Sequence, residues 1–450
     1  MSVEPTSSDP HLPSTRIEFP DGFLWGTACA AHQVEGSNTN NDWWDWEHKD
    51  GSICADSSGD ACDYWNRYEE DYDLLVAAGG QGLHRFSLEW SRIEPAEGEW
   101  SEAALDRYRA MCDALLERGI QPMVTFHHFT TPRWAVSDGG WTDDRIVDRF
   151  ARFCAKAAAA LGPQRLPWAC TINEPGVVAS LGYFLGMFPP GLQDIEAQAR
   201  ATANLIRAHA AAVDAIKSAS PDTQVGITLA MQDFSAADPE DPADAGLVDL
   251  VRHRMEDVYV QGLATGEIRG LVPVEDEAVG GLAGTSDYVG CQYYMRQVLS
   301  AHVEGFQVPE LDGSERTLMG YASYPPGLGV ALRNVAGSGL PVIVTENGVA
   351  VTDDRRRCAW IAAHLGVAHD AVASGDVDLR GYVYWSLTDN FEWVLGYMPT
   401  FGLVGIDRDA GLARRPRPSL DMFGRIAAAN AVDPALVASY VGDSTPADAT

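Results

Sequence analysis

Lysine is almost missing from this 450-residue chain: Lys49, Lys156 and Lys217 are the only three among 32 basic residues, set against 64 acidic ones. A net charge of −32 repels phosphate backbones and anionic bilayers, so neither nucleic acid nor a membrane surface is expected as a partner. No apolar run approaches the roughly 18 residues of a membrane span, and Met1-Ser2-Val3-Glu4-Pro5 lacks the basic and apolar regions of a secretory signal. The expectation is a cytoplasmic chain. Cysteines at 29, 54, 62, 112, 154, 170, 291 and 358 form no Cys-x-x-Cys pair and read as reduced core thiols. No lysine follows a glycine, which argues against a Walker-type phosphate loop, and no Gly-rich nucleotide turn follows Phe23-Leu24-Trp25-Gly26-Thr27-Ala28. There is no His-Glu-x-x-His either, and His127, His128, His364 and His369 lack metal-ligand spacing, so no metal and no cofactor is expected.

What the chain does have is 46% hydrophobic and 21% charged residues, the composition of a soluble globular protein with a large core. Eight β-prone segments recur: Phe23 to Ala28, Gly82 to Leu88, Gln121 to His128, Leu166 to Glu174, Gln224 to Met231, Asp287 to Tyr294, Pro341 to Asn347 and Val377 to Leu387. Between them, stretches such as Ala103 to Arg118, Asp144 to Ala160, Ala197 to Ser218 and Arg356 to Ala373 carry apolar residues at three- and four-residue spacing, as amphipathic helices do. Eight strand–helix units predict an α/β fold, a single (β/α)8 TIM barrel over residues 16–430, with a doubly wound open sheet as the runner-up. Segments 1–15 and 441–450, rich in Ser, Pro, Asp and Thr, are expected to be mobile, and 297–325 and Asp238 to Asp244 to be surface loops.

Two segments carry the chemistry. Thr171-Ile172-Asn173-Glu174-Pro175 and Thr345-Glu346-Asn347-Gly348 each place a glutamate where an apolar strand gives way to a turn, on the fourth and seventh strands. In a (β/α)8 barrel that end holds the active site. Two opposed carboxyl groups suit glycosidic cleavage, one acid protonating the leaving oxygen while the other attacks the anomeric carbon or activates water. Either glutamate alone would more often be an ordinary strand-end acid; the surrounding motifs reverse that balance.

Those motifs resemble family 1 of the glycoside hydrolases, retaining β-glucosidases and β-galactosidases, from about residue 17 to 425. Phe23-Leu24-Trp25-Gly26-Thr27-Ala28 with Gln33-Val34-Glu35-Gly36 is similar to the first-strand signature, and Arg85-Phe86-Ser87-Leu88-Glu89-Trp90-Ser91-Arg92-Ile93 to the second. Trp168-x-x-Thr171-x-Asn173-Glu174-Pro175, Thr345-Glu346-Asn347-Gly348 and Trp385-Ser386-Leu387-x-Asp389-Asn390-Phe391-Glu392-Trp393 resemble the later ones. The resemblance implies Glu346 as nucleophile, supported by Arg85 and Tyr294, and Glu174 as acid/base. It further implies Asn173 on the sugar 2-hydroxyl, Gln33, His128, Glu392 and Trp393 on the hydroxyls of carbons 3, 4 and 6, Trp385 as the platform under the ring, and Phe401 as a further substrate-binding position. A carboxylate at Glu392 is expected to repel a 6-phosphate, hence a non-phosphorylated glycone. For His128 alone, a satisfied core histidine is the plainer reading. Trp43, Trp44, Trp46, Trp134 and Trp141 lie in loop-like stretches where a sugar cleft would place stacking groups.

Two positions depart from the pattern. Phe129 stands where the family has a tryptophan, which removes an N–H donor, and Gln292 stands in place of an asparagine. Arg417, in Arg414-x-Pro416-Arg417-x-Ser419, replaces a lysine and reads as a surface change. The implied function is a retaining exo-β-glycosidase, most simply a β-glucosidase, acting on a small-molecule β-glycoside. A transglycosidase or a specialist for a natural-product glycoside is the alternative, and an inactive sugar-binding barrel a more distant one. Glycone, aglycone, oligomeric state and pH optimum stay open.

Overall fold

A computed structural model describes residues 12–308 and 315–442; most of the expected mobile termini, all but 12–15 and 441–442, and part of the 297–325 loop lie outside them, and Val441 closes a helix from Pro434. Eight parallel strands close into a barrel: β1 Leu24–Ala28, β2 Leu83–Ser87, β3 Gln121–His127, β4 Trp168–Asn173, β5 Gln224–Ala236, β6 Tyr288–Leu299, β7 Val342–Asn347 and β8 Leu379–Trp385. Each pairs with its neighbours in sequence, and β8 closes on β1 through Gly381↔Leu24 to Trp385↔Ala28. All eight predicted strands are present, and the open sheet is excluded. The strands are apolar because helices cover the barrel's outer face; every residue of β2 and β7 is buried.

Helix Arg145–Leu161 buries Ile146, Phe150, Phe153, Cys154 and Ala157 and ends at Gly162, whose φ of +72° suits a residue without a Cβ. The helix packed against it, Ile195–Ala219, starts at Asp194, whose side chain accepts from the amides of Glu196 and Ala197. Alanines 199, 201, 203, 208, 210 and 212 are all buried along it, on two opposite faces of the helix.

Strands β5 and β6 run further than expected, continuing as a paired ribbon from Asp233↔Arg296 to Ala236↔Leu299. The strand therefore takes residues 297–299 from the predicted loop, and Phe234, Val248 and Leu299 bury one another beneath the ribbon. The acidic run is not a plain surface loop. Asp241 caps helix Pro242–Arg252, and the buried Asp244 accepts from the Ser300 hydroxyl at 2.9 Å and the Ala301 amide at 2.7 Å. Acidity misled here because these carboxylates satisfy backbone donors.

Four of the five tryptophans lie on short helices and the fifth on a 3-10 turn, not in irregular loops. Trp43, Trp44 and Trp46 belong to helix Asp42–His48, Trp134 to helix Arg133–Ser137, and Trp141 is buried edge-on to His127 and Phe150. Arg417 is no surface residue: it holds Asp389 through two hydrogen bonds of 2.7 and 2.9 Å, pinning the start of the Asn390–Trp393 segment.

Candidate active site

The C-terminal ends of the strands bring Glu174 and Glu346 to the same end of the barrel. Glu174 leaves β4 in a left-handed conformation, φ +47°, and Pro175 starts the following helix at once. The turn is locked by the Glu174 amide, which donates to the Thr228 carbonyl at 2.9 Å, and by Gly176, where a Cβ would sit 2.2 Å from the Met255 oxygen. On the other side Gly348 explains its own place in the motif, since a Cβ there would lie 1.7 Å from the Trp385 carbonyl oxygen. Only glycine lets the end of β7 pack so closely on β8.

Glu346 is 4% exposed and is gripped at both oxygens. Arg85 Nη1 donates to Oε1 at 2.5 Å and the Tyr294 hydroxyl to Oε2 at 2.6 Å. Arg85, fully buried in β2, spends its other donors on Thr125 Oγ1 (3.0 Å) and Asn173 Oδ1 (2.6 Å). Burial lifts the Glu346 carboxyl above its ordinary range, while the Arg85 charge and the Tyr294 hydroxyl pull it back. Glu174, 9% exposed, makes no side-chain hydrogen bond among the described residues. Burial pushes its carboxyl well above the ordinary range, the charge on Glu346 pushes it further, and Arg85 opposes. Similar burial therefore yields two unlike acids: both are raised, but a guanidinium and a phenol favour the anion of Glu346, while the charge on Glu346 raises Glu174 further.

The other predicted residues are linked to these two acids by contacts. Asn173 Oδ1 also accepts from Gln292 Nε2 at 2.8 Å, and Asn173 Nδ2 faces His128 Nε2 at 3.4 Å. Burial, then the Arg85 charge, holds the His128 imidazole well below its usual pKa, so it is a neutral hydrogen-bonding group. Its ring is nearly parallel to both Trp385 (15°) and Trp393 (14°). Gln33 Nε2 is anchored on the Phe391 carbonyl at 2.9 Å and Asn390 Oδ1 at 3.1 Å. Phe129 packs on Phe188 and Trp393, and Phe401 sits edge-on to Tyr294 at 5.9 Å, bracing the phenol that holds Glu346. Gln33 Oε1, His128 Nδ1 and Gln292 Oε1 are buried without a hydrogen-bond partner among the described residues. Buried polar atoms are rarely left unpaired, and three around two carboxyl groups suit a polyhydroxylated ligand.

Glu392 corrects one expectation. Burial and then the charge on Glu346 lift its carboxyl to about 8, against the bonds from Gln33 and Trp385. Near neutral pH it is mostly a neutral acid and does not act as a repelling carboxylate. Tyr321 was missed altogether: burial first, and then its nearness to Glu392 and Glu174, raise its phenol, and its ring lies 6.5 Å from Tyr294. It lies in a stretch without hydrophobic periodicity, which offers no signal in the sequence.

The model of Glycosyl hydrolase family 1 matches residues 15–432. The chain belongs to that family. It is 33% identical to Beta-glucosidase A of Thermotoga maritima over 426 residues, 87% of this chain and 93% of the relative. A beta-glycosidase from Pyrococcus horikoshii has a similar structure, with TM-score 0.85, 33% identity and coverage of 95% and 98% of the two chains. So does a beta-glucosidase from Thermotoga maritima in complex with glucoimidazole, with TM-score 0.84, 32% identity and coverage of 92% and 99%. This family 1 chain is a glycoside hydrolase with a TIM-barrel fold. Among its described residues no helix is long and apolar enough to cross a membrane.

Proposed function

We propose that this family 1 enzyme is a retaining exo-β-glucosidase that hydrolyses small, non-phosphorylated β-glucosides by double displacement. The observation that carries the reading is the unequal treatment of two buried glutamates, one gripped by a guanidinium and a phenol, the other without a side-chain hydrogen bond among the described residues. Glu346 attacks the anomeric carbon and forms a glycosyl ester while the proton of Glu174 goes to the departing oxygen. Esterification removes the Glu346 charge that added to burial in raising the Glu174 pKa, so Glu174, ionised once its proton has left, then takes a proton from water as that water attacks the ester. Asn173 Nδ2, with its Oδ1 already committed, is a donor to the sugar 2-hydroxyl, a contact that strengthens in the transition state. Trp385 carries the apolar sugar face, and Gln33, His128, Glu392 and Trp393 take the outer hydroxyls.

Replacing Glu346 by Gly abolishes hydrolysis of p-nitrophenyl β-glucoside on this reading, and azide restores release of nitrophenol. Intact hydrolysis in the variant would overturn the assignment. Rejection of a 6-phosphate is supported by Arg85, the cation that holds Glu346, being engaged by Glu346, Asn173 and Thr125 and so not free to take a phosphate. Faster turnover of the 6-phosphorylated glucoside than of the plain one would end that part. Phe129 and Gln292 favour a second reading, transfer to an acceptor other than water, which the product split in the presence of an added alcohol decides.

A further inference from the structure

Behind Trp393 lies a buried polar pair that has no part in the double displacement. His32 precedes Gln33 in helix Ala31–Val34, and Glu47 lies in helix Asp42–His48. Both side chains are completely buried, with His32 Nε2 2.6 Å from Glu47 Oε1. The imidazole lies almost parallel to the Trp393 indole, 7° between planes and 5.8 Å between centroids. Trp43 and Phe129 meet the same indole at 4.5 and 5.0 Å. Trp393 has a left-handed φ of +53°, a conformation that bulky side chains hold only when their surroundings over-determine it.

The hydrogen bonds fix the imidazole completely. Asn38 Nδ2 donates to Glu89 Oε2 at 2.6 Å, and Asn41 Oδ1 accepts from the Trp44 amide at 2.9 Å, so both amide orientations are set independently. Both Nδ2 groups also face His32 Nδ1, at 3.1 and 3.2 Å, which makes Nδ1 an acceptor. The ring proton therefore sits on Nε2 and is donated to Glu47. Glu47 in turn is held through Oε2 by the Ser58 amide (2.6 Å) and hydroxyl (2.9 Å).

We propose that Glu47 and His32 are positioning residues that hold the Trp393 indole in place for the glycone and thereby set discrimination at the outer sugar hydroxyls. This rests on the proposed reading of Trp393 as a glycone contact. Freed from Glu47, the imidazole turns about its Cβ bond, and the indole loses the flat surface at its back. A side chain acting this way alters substrate binding and choice more than the bond-breaking step, because Glu174 and Glu346 are held by other residues.

The test compares p-nitrophenyl β-glucoside with p-nitrophenyl β-xyloside, which lacks the carbon-6 hydroxymethyl group, in the full-length enzyme and in Glu47→Ala, with rates expressed per titrated active site. The expected result is a KM for the glucoside raised about tenfold with kcat lowered less than about threefold, and a glucoside-over-xyloside ratio of kcat/KM reduced about fivefold. Glu47→Gln keeps an acceptor for Nε2–H only with its NH2 turned on the Ser58 amide, and is therefore expected to recover the ratio in part, to a value between those of the parent and Glu47→Ala. His32→Phe keeps a ring without its hydrogen bonds and gives a second measure if Glu47→Ala fails to fold. An unchanged ratio in the folded variants, or equal losses on both substrates at unchanged KM, overturns the proposal. A parent enzyme that hydrolyses neither glycoside, or a Glu346→Gly variant that still does, would instead overturn the reading of the site.

Discussion

At the start of β1 rings pack between strand and helix: Phe19, Phe23, Trp25 and Phe423 have neighbouring centroids 4.6 to 5.9 Å apart, and the Trp25 N–H is satisfied by Asn430 at 2.9 Å. At the opposite end the same strands close around Glu174, Glu346, Glu392 and Arg85. The change takes place within single strands. In β7, Val342, Ile343 and Val344 give way to Thr345, Glu346 and Asn347, all six buried. Apolar burial at one end stabilises the fold; at the other, burial lifts carboxyl pKa values and leaves polar atoms unpaired, which destabilises the protein and makes it reactive.

The comparison breaks most visibly at Glu174. Glu174→Gln, with the site otherwise intact, lowers kcat/KM for an alkyl β-glucoside by about three or more powers of ten and removes the alkaline limb of the pH–rate profile, because that limb is the loss of the Glu174 proton. A profile that kept the same alkaline limb would assign the acid elsewhere. At the other end, Trp25→Ala costs about 3–5 kcal/mol in denaturant unfolding and leaves kcat per folded molecule unchanged. A large fall in kcat there would show that the two ends are not separable.

A smaller effect sharpens the contrast through pH. Because the Glu392 carboxyl rises from an ordinary 4.5 to about 8 in the folded state, folding holds a proton that the unfolded chain releases. Its contribution to stability is therefore fully present below about pH 4.5 and is lost as pH rises toward 8. Glu392→Gln should flatten the fall in Tm between pH 5 and about 8 while weakening glucoside binding; an unaltered slope would contradict the buried-acid description. The smallest change expected is at Phe129→Trp, which adds an N–H beside the glycone and lowers KM by up to about threefold, read from initial rates. No change in KM would mean that the ring at 129 serves only to pack against Phe188 and Trp393.

The barrel was legible because its signal is local and repeated: each of the eight strands is a short apolar run, and every predicted run became a strand. Glu174, Glu346, Arg85 and Tyr294 were legible because fixed motifs place them at strand ends. What the sequence hid depends on partners far along the chain. Trp141 looked like a platform until His127 and Phe150 were brought against it. Arg417 looked superficial until it met Asp389, and Glu392 looked ionised until its burial beside Glu346 was seen. The Glu47–His32 pair joins two helices and carries no motif of its own.

The central claim is that environment makes Glu346 the attacking group and Glu174 the proton carrier. The most direct measurement is mass spectrometry of peptides after reaction with a 2-deoxy-2-fluoro-β-glucosyl substrate bearing a good leaving group, whose electron-poor sugar slows breakdown of the covalent intermediate. The account predicts one added 2-fluoroglucosyl group, located on the peptide containing Glu346. A label on Glu174, or none on an enzyme that turns over ordinary glucosides, would contradict it.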